Sequence, residues 1–234
     1  MHIYGLNDSR RVFATLAPML KTMIAYIFFT LLLHFFFAFM GEGSPENALA
    51  AHMAISTVTG FVIQAYFMGR LTEIIFSLNP LPCGDLLRKH LPRFLATIVL
   101  LALFTAPFFS LFSALAFKDS PHVTFFIINV AIKIISIYVF PLLFITSQIR
   151  FALATGAKCL LGNLKDSFFL IFLSVAGFIF EGYALPTLLP SFGKSPVFIA
   201  FATACNIFFA LYIFTSASWI MREKLYGGTH RTLH

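Results

Sequence analysis

Charge is scarce in this sequence: Asp, Glu, Lys and Arg make up 11% of its 234 residues, against about 25% in an ordinary soluble domain. So few charges do not cover a water-facing surface, which excludes a soluble globular protein. Cysteine is equally sparse. Cys83, Cys159 and Cys205 are odd in number and show no C-x-x-C spacing, which argues against a disulfide framework or a cysteine metal site. The nine acidic residues form no cluster of the kind a metal-dependent lipid-headgroup transferase requires. No H-E-x-x-H, G-x-S-x-G, P-loop or G-x-G-x-x-G occurs, and no apolar run holds two histidines four residues apart as metal or haem ligands. The expectation is a protein without cofactor, without metal and without enzymatic activity.

What is abundant is apolar. Hydrophobic residues reach 59%, 32 of them Phe, and the mean hydropathy is +0.91. Polar punctuation cuts the chain into six apolar runs, at about 22–41, 49–69, 94–117, 122–147, 167–189 and 196–221, each near the 17–25 residues needed to cross a bilayer. Inside hydrocarbon the backbone finds no water partner, so such runs must be helices. The predicted fold is an all-α integral membrane protein with six transmembrane helices at 22–221, after a leading amphipathic segment at 1–21 and before a tail at 222–234. Short interfacial helices are expected in the loops.

Lys and Arg set the direction. With the N-terminus inside, Arg70, Arg88, Lys89, Arg93, Arg150, Lys158 and Lys165 join the basic residues of both ends on the cytoplasmic side, and only Lys118 and Lys194 lie outside. That is the positive-inside pattern of an inner (cytoplasmic) membrane protein with both termini cytoplasmic. It accounts for the net charge of +7 without nucleic acid as a partner. Ser9-Arg10-Arg11-Val12-Phe13-Ala14 reads like a twin-arginine export signal, but the apolar stretch that follows is too long and has no cleavage site. The segment 8–20 is instead expected on the cytoplasmic surface, with Val12, Phe13, Leu16 and Leu20 against lipid.

The two basic loops, 70–93 and 148–166, resemble each other. Arg70 and Arg150 close a span, Cys83 and Cys159 follow, and Leu86-Leu87 and Leu160-Leu161 precede a basic stretch, which suggests a hairpin repeat. Each loop can form an interfacial helix, one with Leu87 and Leu91 on its apolar face, the other with Leu160, Leu161 and Leu164. Such helices anchor a loop to anionic lipid or dock a soluble partner. Arg70, Arg88, Lys89, Arg93, Arg150, Lys158 and Lys165 are the candidate surface for lipid headgroups or a partner. The second span, rich in Ala, Ser, Thr and Gly with Ser56 and Gly60 at small-x-x-x-small spacing, is expected at the centre of the bundle, with the Phe-rich first span facing lipid. Pro107 and Pro141 should bend their spans and free carbonyls.

Polar residues inside hydrocarbon are site candidates by default. His34, Asn129, Lys133, Glu181 and Asn206 fall at comparable depth on four spans and are predicted to meet in the outer half, Lys133 pairing with Glu181. The cluster is either a binding or proton-linked site or a structural polar cluster that fixes helix register. His52 and His122 stand near the outer surface, each taken as a lone solvated residue.

Residues 141–175 run from Pro141-Leu-Leu-Phe-Ile through Arg150 to Gly156-Ala-Lys-Cys-Leu-Leu-Gly-Asn-Leu-Lys-Asp-Ser-Phe-Phe-Leu-Ile. This order of span, small residue, amphipathic stretch and span resembles the membrane domain of the glycerophosphodiester phosphodiesterase family and its six-span relatives. The resemblance implies an all-helical membrane module without hydrolase activity, since the family's catalytic barrel is missing. The span order also resembles exporter-type ABC permeases, whose internal helices contact a cytoplasmic ATPase. The leading functional expectation is a non-enzymatic subunit or accessory of a larger membrane assembly. Its expected partners are membrane lipids and other complex subunits. The alternative is the permease subunit of a transporter.

Overall fold

A computed structural model describes residues 9–40, 45–115, 121–180 and 195–226. Among them every regular element is helical: α1 Ser9–Leu16, a 3₁₀ turn Ala17–Met19, α2 Leu20–Met40, α3 Pro45–Ile75, α4 Cys83–Leu115, α5 Pro121–Thr146, α6 Ile149–Gly162, α7 Leu164–Ile179 and α8 Pro196–Tyr226. Four stretches are long and apolar enough to cross a membrane, Ser9–Phe37, Cys83–Leu111, Phe126–Thr146 and Pro196–Lys224. A fifth is added if α6 and α7, bent by 108° at Asn163, are one broken span. The Asn163 side chain stabilises that corner by donating to the Cys159 carbonyl at 2.7 Å. Both Pro107 and Pro141 sit inside continuous helices.

Packing is uneven along the bundle. The tightly buried residues gather at the end that carries the basic loops, where Tyr138, Val139, Leu143 and Phe144 of α5 meet Leu211, Phe214, Ala217 and Ile220 of α8. Toward the other end Phe28, Leu32 and Phe36 of α2, Ile55 and Val58 of α3, and Leu103 and Phe104 of α4 are exposed, as side chains facing lipid are. The Phe-rich first span therefore lies outward as expected. The small-residue part of the second span does not hold the centre: Ala51, Ala54, Thr57 and Val58 are exposed, whereas α3 is buried from Ala65 onward, where it packs among its neighbours. Lipid is as apolar as leucine, so small residues alone do not draw a helix inward. Close approach occurs instead where Gly156 of α6 crosses Val139 of α5, a Cβ at 156 falling 3.0 Å from the Val139 Cα.

The basic end also departs from expectation. Helix α4 begins at Cys83 and runs unbroken into its span, so no separate helix forms there. Its inner face is Leu86, His90 and Phe94 rather than Leu87 and Leu91, with the His90 ring stacked 4.8 Å from Phe144. In α6 the buried face is Ala152, Gly156 and Leu160, while Leu161 and Leu164 are exposed. Helix α1 docks on α8 instead of turning Val12 and Leu16 to lipid; both are buried, whereas Phe13 and Leu20 remain exposed. Arg11 fixes it, its guanidinium 3.5 Å from the Trp219 ring and 2.6 Å from Glu223, and the Trp219 indole donates to the Thr15 hydroxyl at 3.2 Å. The loop resemblance does not extend to geometry: Ser77 and Ser147 both take positive φ just past a helix end, but Arg70 lies before its serine, inside α3, and Arg150 after its own, inside α6.

Candidate functional site

A cavity of about 350 Å³ opens directly above the packed core, between α3, α5, α7 and α8. Its floor is apolar, formed by Met68, Ile137, Pro141, Leu173 and Phe214, and its polar lining is Gln64, Lys133, Ser136, Ser174 and Asn206. Helices α3, α5 and α8 run toward the basic end. Gln64 precedes Met68, Lys133 precedes Ile137, and Asn206 precedes Phe214, so the polar groups stand on the side away from that end. A smaller cavity of about 160 Å³ adjoins it on the α2 side, bounded by Tyr26 and Thr30 and sharing Gln64, Asn206 and Ala210. The two amides form the waist between the cavities.

Local sequence explains the chemistry. Lys133 carries its ammonium 5.3 Å from the Phe178 ring, and an ammonium has three donors to distribute. Ser136 spends its proton on the Lys133 carbonyl at 2.8 Å and keeps its lone pairs. Pro141 has no N–H, so the carbonyl of Ile137 loses its helical donor at the cavity floor. Beneath, the Tyr138 hydroxyl shares a 2.8 Å hydrogen bond with Ser167 and ties α5 to α7. The result is a cationic group, two amides and serine hydroxyls over an apolar floor, suited to a small polar or amphiphilic molecule.

The predicted cluster is divided. Lys133 and Asn206 both line the larger cavity. Asn129, one turn earlier on α5, and His34 do not line it, and Glu181 lies outside the described residues. His34 of α2 instead faces His52 of α3, ring centres 5.8 Å apart, which corrects the reading of His52 as a lone residue; the His122 side chain is outside the described set. Gln64 was missed because the second span was weighed for its small residues; a glutamine inside an apolar run was the available signal. Among the basic candidates, Arg88, Lys89, Arg150, Lys158 and Lys165 are exposed. Arg93 is half-buried and donates to the Lys89 carbonyl. Arg70 is partly buried and pairs at 2.8 Å with Glu73, which is 7% exposed and whose other oxygen accepts the Leu81 N–H at 2.9 Å. No metal-ligating group of three or more His, Cys, Asp or Glu occurs among the described residues. No protein family, no curated protein and no solved structure matches the chain.

Proposed function

We propose that the chain is a non-enzymatic six-span protein of the cytoplasmic membrane, both ends cytoplasmic, that serves as a subunit or accessory of a membrane assembly handling small polar or amphiphilic molecules. The observation that carries this reading is the cavity lined by Lys133, Gln64 and Asn206. Its volume falls in the range of small-molecule sites, and an ionisable side chain on a membrane helix is costly unless it is used. The exposed Arg88, Lys89, Arg150, Lys158 and Lys165 supply a surface for anionic headgroups or an ATPase partner. A permease subunit is the variant favoured by the cavity's position, with its polar lining on the side away from the packed core.

Purification in mild detergent followed by native mass spectrometry tests it. The expected result is a retained small molecule or lipid, with occupancy reduced about tenfold or more, equivalent to about 1.4 kcal/mol, by Lys133→Met at unchanged protein mass. Equal occupancy in the variant would remove the cavity from the function, and the absence of any co-purifying protein would remove the assembly.

A further inference from the structure

Away from the cavity, the seam between α2 and α3 brings two imidazoles together. The His34 and His52 rings stand 5.8 Å apart and inclined at 67°, with Phe37 5.4 Å from His52 closing one side. His52 Nε2 is buried with no hydrogen-bond partner among the described residues, and so is Ser56 Oγ, one turn further along the same face of α3. An unpaired ring nitrogen in apolar surroundings is expensive, and imidazole is the commonest protein ligand for transition metals. Two nitrogens sharing one ion in line at about 2 Å each lie about 4 Å apart, which places ring centres roughly 6 Å apart.

We propose that His34 and His52 form a two-histidine site for one monovalent soft metal ion, of the copper(I) or silver(I) class. The charge class follows from the surroundings. No described carboxylate or thiolate joins the pair in a larger ligand set, so both ligands are neutral. A divalent ion such as zinc completes four positions and would bring two uncompensated charges into an apolar seam. A monovalent d¹⁰ ion accepts two donors in line and brings one charge. The site stands apart from the Lys133 cavity, which neither histidine lines, and it does not depend on the reading of that cavity.

The test is calorimetric titration of silver(I) into the purified full chain carrying Cys83→Ser, Cys159→Ser and Cys205→Ser, so that thiols do not compete. One ion per chain is expected. His34→Ala and His52→Ala should each weaken binding by about a hundredfold or more, beyond what loss of a mere supporting group costs, with Ser56→Ala within about threefold of the parent. His34→Gln and His52→Gln, which keep a polar group of similar size, should behave as the Ala variants do. X-ray absorption of the silver complex should show two nitrogen neighbours. Absence of binding, full affinity after either histidine is changed, or preference for zinc(II) over silver(I) would each overturn the assignment.

Discussion

Gly156→Ala is expected to lower the stability of the detergent-solubilised protein by about 2 kcal/mol, and Gly156→Leu to abolish the native packing. Alanine would ordinarily strengthen a helix by about 1 kcal/mol over glycine. Here its Cβ would sit 2.6 Å from Val139 Cγ2 and 3.0 Å from the Val139 N and Cα. The side-chain methyl can rotate away, but the backbone atoms yield only if α6 separates from α5. Val139→Ala in the Gly156→Ala background should therefore restore only part of the loss. Gly69→Ala is the control: its nearest neighbours, at 3.0–3.2 Å, are all side-chain atoms of Leu86, and the change should stay within about 1 kcal/mol of neutral. Thermal unfolding of the four variants makes the comparison. A Gly156→Ala protein as stable as the parent would mean that α6 does not cross α5 at this distance.

Arg70→Leu should cost about 3–5 kcal/mol, because it leaves the buried Glu73 carboxylate without its cation and close to the negative end of α3. Arg70→Leu with Glu73→Leu should recover much of that loss. Recovery should stop about 1–3 kcal/mol short, since the Leu81 N–H, which Glu73 accepts at 2.9 Å, then has no acceptor. Chemical denaturation of both singles and the double gives the coupling directly. Mild, additive singles would show that Arg70 faces solvent, as its place in a basic loop first suggested.

The helices were legible in the sequence because hydrocarbon forces apolar runs to satisfy their backbones internally, and the lipid-facing Phe28 and Phe36 follow from the same rule. Lys133 and Asn206 could be placed together from depth alone, since few polar residues occur in the spans. The buried faces were not legible. Protein core and lipid are equally apolar, so nothing in the pattern separates Leu86 from Leu87 or Leu160 from Leu161. Gly156 looked like a loop residue because its close contact with Val139 is made by a helix 17 positions earlier in the chain. Glu73 escaped notice for a related reason: its value lies in reaching both Arg70 and the Leu81 backbone, a turn geometry that spacing does not announce. His34 and His52 lie on different helices; His52 alone reads as an ordinary interfacial histidine, and depth assigns His34 to the Lys133 cluster instead.

If the basic end is cytoplasmic, as proposed, the bundle is closed on that side by its packed core and its polar cavity is reached from the other face. Single cysteines at Asn206, on the cavity, and at Ala217, fully buried three turns further along α8, in the chain freed of its own three cysteines, test it in intact cells with a membrane-impermeant thiol reagent. Asn206→Cys should label from outside while Ala217→Cys stays unlabelled there and in inverted vesicles. Labelling of Asn206→Cys only in inverted vesicles, or of Ala217→Cys on either side, would contradict the account.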